Sequence, residues 1–336
     1  MEKALTGVRV LDVTYYVPGP FAGMRLAELG ADVLKIEPPT GDPSRGMGGG
    51  LVHSAHNAGK QIVQLDLKSE SGKREMLELV RSADALIETF RPGVMKKLGL
   101  DYESVKNYKG DIVYCSLSGY GQAGELAYLG SHDLNYLALS GALDQLRDKA
   151  GRPVHPTHTL ADYTGGLLAS EQILAALIRK FRTGDGAYLD IALAEVMAAF
   201  LPNHDAYMKA GLSDHGVPEI SGGRISYAIY ETKDGRFVTL GALEEKFWRN
   251  FCELAGRPDW LSWGECAPGT PEHGQVEAFF KSKSWQEWYG LSLVHDCCLA
   301  PVLTADERHR HPFFLGRASG AKTSKVRETE AADRRS

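Results

Sequence analysis

The sequence predicts an α/β protein: a Rossmann-like large domain with a parallel sheet, followed by a smaller α+β domain. Three observations predict it. A chain of 336 residues at about 100 to 200 residues per domain is long enough for two domains. Short apolar runs alternate with helical spacing through the first half, the pattern of right-handed βαβ crossovers. Beyond residue 225 the pattern changes to a hairpin followed by an aromatic-rich helix.

Taken in order, residues 8–13 (Val-Arg-Val-Leu-Asp-Val) read as the first strand. The Pro18-Gly19-Pro20 turn leads into a helix over residues 21–29 that Gly30 stops, and residues 31–36 form the second strand. A strand at 62–67, a helix near 69–82 and strands at 85–89 and 112–117 continue the alternation. Helical spacing dominates 131–146 and 162–183, while residues 211–223 are polar and glycine-containing, as an interdomain linker would be. Residues 227–231 and 236–240, joined through Lys233-Asp234-Gly235, carry a hairpin signature, and 244–254 return to helical spacing. The expected organisation is a large domain over 1–205, a linker over 206–225, a small domain over 226–312 and a disordered, charged tail over 313–336.

A net charge of −5 gives no electrostatic reason to expect nucleic acid or an anionic membrane, though it leaves room for a local basic pocket. The five cysteines, Cys115, Cys252, Cys266, Cys297 and Cys298, are odd in number and form no metal-ligand spacing. The amino terminus runs into a strand pattern with no secretory signal, and no apolar run approaches the roughly 18 residues of a membrane span. A cytoplasmic enzyme without a membrane segment is the expectation.

The first βα turn tests one rival, a dinucleotide enzyme. Glu37 stands where a ribose-binding acid would, but the turn reads Val17-Pro18-Gly19-Pro20-Phe21-Ala22-Gly23 and lacks the paired glycines of G-x-G-x-x-G. A second constellation joins Ser131-His132-Asp133-Leu134-Asn135-Tyr136 to Leu160-Ala161-Asp162-Tyr163-Thr164-Gly165-Gly166. A His opens one predicted helix and an Asp opens another. Side chains at helix starts project into clefts beside free backbone N–H groups, yet the same positions suit ordinary N-caps. The residues alone leave both readings open.

These segments, with Asn57-Ala58-Gly59-Lys60, Asp66-Leu67-Lys68, Glu88-Thr89-Phe90-Arg91-Pro92-Gly93 and Ser118-Gly119-Tyr120-Gly121, resemble the family III CoA-transferases (CaiB/BaiF superfamily) and their relatives, most closely the α-methylacyl-CoA racemases. The resemblance covers residues 5–312 and implies one of two chemistries. In the racemases, a His and an Asp exchange the proton beside an acyl-CoA thioester through an enolate. It would make His132 and Asp162 the two acid/base groups, with Glu244 (or its neighbour Glu245) supporting the imidazole. In the transferases, the acid matched by Asp162 carries acyl and CoA groups as covalent aspartyl intermediates. A binding-only homologue is a third reading.

The resemblance further implies a CoA site at Val17, Lys60, Thr89, Phe90, Arg91, Lys97 and Leu98, with Lys60 and Arg91 as phosphate or adenine partners. Lys97 also reads as a plain surface charge. Enolate donors are expected among the backbone N–H groups of the helix holding Asp162 and Gly165-Gly166. The implied chemistry requires no metal or organic cofactor beyond the CoA of the substrate. It implies an interlocked homodimer, although relatives return to the large domain where this chain has a short tail. The acyl group is not legible; residues 204–225 are expected to shape its pocket.

Overall fold

The computed structural model describes residues 3–148 and 150–318, which fall in two compact units, Met1–Ala206 and Tyr207–Ser336. In the first unit the order is β1 (Arg9–Val13), α1 (Pro18–Glu28), β2 (Asp32–Glu37), α2 (Leu51–Asn57), β3 (Gln61–Gln64), α3 (Glu70–Arg81), β4 (Ala85–Glu88), α4 (Val94–Leu98), α5 (Tyr102–Lys106) and β5 (Val113–Ser118). There follow α6 (Asp133–Leu139), α7 (Leu160–Thr183), β6 (Ala187–Ala192), α8 (Leu193–Ala198) and α9 (Pro202–Lys209), which runs into the second unit. The strands make one parallel sheet in the order β3-β2-β1-β4-β5-β6. That order reverses direction between β1 and β4, and such a switch point opens a crevice beyond the carboxyl ends of the strands.

The central strands are largely apolar on both faces because both faces are covered. Val10 and Val33 pack with Ala22 and Leu26 of α1 and Ile173 and Leu177 of α7. Their neighbours Leu11 and Leu34 face the other way, against Met76 and Val80 of α3. This alternation of partners along a strand is the period of two of a pleated sheet. Close approach of α7 to α1 depends on Gly166, where a Cβ would sit 2.6 Å from the Pro18 carbonyl.

The second unit pairs β7 (Tyr227–Glu231), β8 (Phe237–Gly241) and β9 (Leu299–Pro301) in an antiparallel sheet. Between β8 and β9 lie α10 (Glu245–Ala255), α11 (Pro271–Phe280) and α12 (Trp285–Ser292), and the described chain ends with α13 (Ala305–Arg310) and α14 (Pro312–Ala318). Its core is aromatic: Tyr230, Trp248, Phe251, Trp260, Phe280 and Trp288 are all buried.

Two expectations about the carboxyl half change. The expected linker begins as helix, through Lys209, and beyond it Val217 and Ile225 are buried while Tyr207 Oη donates to Glu219 at 3.0 Å. The expected tail begins as α14, since Phe314 packs edge-on against the His311 ring and gives the turn an apolar contact. Residues 319–336 of that tail lie outside the described residues. No helix among the described residues is long and apolar enough to cross a membrane.

Candidate active site

The loops that leave the carboxyl ends of β1, β4 and β5 surround a cavity of about 480 Å³, within the range of small-molecule clefts. Tyr15, Tyr16 and Pro18 come from the first loop, Thr89, Phe90 and Arg91 from the second, and Ser118, Gly119 and Tyr120 from the third. The cavity therefore sits at the topological switch point. His132, Asn135, Tyr136 and Asp162 complete its wall, so the two helix starts singled out in the sequence meet in one space.

His132 occupies the N-cap of α6. Its backbone N–H donates to Asn135 Oδ1 at 3.0 Å and its carbonyl accepts from Asn135 at 2.8 Å. Its exposed imidazole stands at the cavity wall. Asp162 is not a cap. The helix begins at Leu160 with Thr159 as N-cap, which makes Asp162 its third residue. Its backbone N–H is taken by Asp133, whose Oδ1 accepts at 2.9 Å.

Burial, then the nearby Asp133 carboxylate, pushes the Asp162 carboxyl up to about 7. No cation contributes to that balance. A carboxyl half-protonated near neutral pH can both give and take a proton. Tyr136 Oη donates to the Ser131 carbonyl at 3.1 Å, and burial raises the Tyr136 hydroxyl above its ordinary value. Gly119 is required beneath it, because a Cβ there would meet the Tyr136 ring at 2.5 Å.

The expected CoA positions divide. Thr89 Oγ1 accepts from the Tyr15 amide at 3.0 Å, and the Phe90 ring stands edge-on to Tyr15 with centroids 5.1 Å apart. Arg91 is exposed and runs past Gly130, where a Cβ would lie 2.9 Å from Nη2. Val17 is the N-cap of α1, between the wall residues Tyr16 and Pro18. Lys97 is exposed on α4, and Leu98 packs against the α3 side of the core.

Lys60 corrects the expectation. Its ammonium donates to Asp12 at 2.7 Å, the Pro20 carbonyl at 2.7 Å and Asn57 Oδ1 at 2.8 Å, and the side chain is wholly buried. All three donors are used inside the fold, so the ammonium is a structural cation rather than a phosphate ligand. The enolate donors are corrected too. The Asp162 amide is occupied by Asp133, Tyr163 donates to the Thr159 carbonyl at 3.3 Å, and Gly165 and Gly166 lie beyond the first turn, where amides bond within the helix.

In the second unit Glu244 is the exposed N-cap of α10, and Glu245 is ion-paired with Arg249. Sequence reasoning missed Asp133, although an acid directly after the His was in plain view as a second carboxylate of the constellation. It also missed Tyr16, which adopts φ +65° on the cavity wall; a left-handed tyrosine has no sequence signature.

The chain matches the family model described as CoA-transferase family III over residues 5–331. It is 34% identical over 321 residues to an alpha-methylacyl-CoA racemase of Homo sapiens, covering 94% of this chain and 82% of that protein. It is 32% identical over 265 residues to a succinyl-CoA:glutarate CoA-transferase of Mus musculus, covering 76% of this chain and 61% of that one. Among solved structures, Rv3272 from M. tuberculosis superposes with a TM-score of 0.79 at 27% identity, over 94% of this chain and 87% of that one.

Proposed function

The chain belongs to CoA-transferase family III, and from that premise we propose that it racemises 2-methylacyl-CoA thioesters by 1,1-proton transfer. The observation that carries this reading is the presence of an imidazole and an uncompensated carboxyl, His132 and Asp162, on the wall of one switch-point cavity. Inverting the carbon beside a thioester means removing its proton from one face and returning one to the other, which takes two acid/base groups. One group takes the proton as the C–H pair becomes an enolate, and the other, already protonated, delivers its proton to the opposite face. The reverse turnover exchanges their roles. A carboxyl titrating at about 7 suits both.

Arg91 is the cavity-wall cation proposed to meet the CoA phosphates, with Thr89 and Phe90 along the pantetheine arm. Glu244 is proposed as the carboxylate that supports the imidazole, and an interlocked homodimer in the cytoplasm as the working form. The test is a single-configuration 2-methylacyl-CoA in deuterated water without any carboxylic acid acceptor. The α-carbon takes up deuterium and optical purity falls.

The transferase relatives support a second reading. There the ionised Asp162 attacks the thioester carbonyl and expels the CoA thiolate. The thiolate then attacks the aspartyl carbonyl of the mixed anhydride, releasing the acid and leaving an aspartyl-CoA thioester for an acceptor carboxylate. An undeuterated substrate, CoA transfer to an added carboxylate and a hydroxylamine-sensitive adduct at Asp162 would establish that reading instead.

A further inference from the structure

His132 and Asp162 are 30 residues apart in the chain, and something must hold one against the other for proton transfer to cross a single carbon. Asp133 is built to do so. It is the first residue of α6, directly after His132, and its carboxylate accepts the backbone N–H of Asp162 at 2.9 Å. The start of one helix is thus tied to the start of the other by a charge-assisted hydrogen bond. Resting on the racemase reading, we propose that Asp133 is a positioning residue for the proton-transfer pair: its hydrogen bond fixes Asp162 relative to His132, and the same contact sets its carboxylate beside the Asp162 carboxyl.

The surroundings of Asp162 identify the source of that charge effect. Tyr136 and Tyr163 also interact with Asp162 electrostatically, and the other titratable groups on the same cavity wall are His132, Arg91, Tyr15, Tyr16 and Tyr120. None of these is a carboxylic acid. Asp133 is the one carboxylate contributing to the upward displacement of Asp162, second to burial itself. A like charge held nearby favours the protonated form of its neighbour.

The experiment separates bond from charge. Protein labelled with ¹³C at aspartate carboxyls is titrated by NMR, and the Asp162 resonance is assigned by its loss in Asp162→Asn. In Asp133→Asn the side-chain oxygen still accepts the amide but the charge is gone, and the Asp162 midpoint should fall by about 1 pH unit. Asp133→Ser is a second neutral variant with the same expectation, and Asp133→Glu should keep the midpoint near that of the native protein. In α-proton exchange assays the acid limb of the kcat profile should move with the midpoint while KM stays within about twofold. An Asp162 midpoint unmoved in both neutral variants overturns the proposal. Because the NMR titration needs no turnover, a native protein that exchanges no α-proton would count against the racemase reading alone.

Discussion

Four carboxyls of the first unit, three on strands and Asp162 in the first turn of α7, divide into two kinds by the company they keep. Burial pushes the Asp12 carboxyl up, but Lys60 and Lys35 beside it hold it below its ordinary value. Burial likewise raises Glu37, and hydrogen bonds from Arg45 at 2.8 Å and His53 at 2.8 Å bring it down again. Asp162 and Glu88 have no cation to offset burial, and both are pushed up to about 7. Asp12 and Glu37 are charges that hold the fold around the α1 start. Asp162 lines the cavity and is the group proposed to exchange a proton there, whereas Glu88 accepts the Phe90 amide at 2.7 Å and orders the turn that carries Arg91.

That division makes the two kinds of residue fail differently. Removing a proton-transfer group should be the most drastic change for turnover: His132→Ala and Asp162→Asn should each lower racemisation by about 10²- to 10⁴-fold, with acyl-CoA binding by calorimetry nearly unchanged. Wild-type turnover in both would remove them from the chemistry. Lys60→Met should do the reverse, removing the nearer of the two buried cations beside Asp12 and leaving only Lys35 at 3.9 Å, at a cost of about 3 kcal/mol in chemical denaturation. A normally stable Lys60→Met that had lost CoA affinity would return Lys60 to the binding site.

Arg91→Ala probes the cavity side of the comparison. Its exposed guanidinium supports no buried acid, so stability should hold while acyl-CoA affinity drops about tenfold at low salt, a difference that shrinks as salt is added. Equal affinity at low salt would exclude the phosphate contact. The smallest effect concerns stability against pH. Asp162 titrates higher folded than unfolded, so its contribution is complete below the ordinary carboxylate range and is lost as pH rises through about 7. Asp162→Asn carries no such loss and should melt about 2–4 °C above the native protein at pH 8.5, by less at pH 5. An equal difference at both pH values would mean that the carboxyl is not displaced upward.

Much of the scaffold was legible because its signals are local. The apolar runs of β1 and β2 and the Lys233-Asp234-Gly235 turn predicted their elements nearly to the residue, and Ser69 caps α3 by accepting from Gly72 at 3.0 Å. The β6 edge strand escaped notice because Ala187–Ala192 alternates exposed and covered positions, unlike the continuous apolar runs of the central strands. The expected helix over 131–146 breaks after Leu139, where Gly141 takes φ +82°. At the site, His132 and Asp162 stood out as residue types at helix starts, but only the strand order brings them to one cavity. Lys60 was read as a phosphate or adenine partner on the resemblance alone, beside Asn57-Ala58-Gly59. Its partner Asp12 lies 48 residues earlier in the chain, and nothing local announces the pair.

The central claim is that two groups work on opposite faces of one carbon, and single-base variants test it most directly. Each enantiomer of a 2-methylacyl-CoA is incubated in deuterated water with His132→Ala and with Asp162→Asn, and deuterium at the α-carbon is measured beside optical purity. Two-base racemisation predicts that each variant exchanges one enantiomer without inverting it, and that the two variants exchange opposite enantiomers. Inversion at the native rate in either variant, or exchange of the same enantiomer by both, would contradict the account.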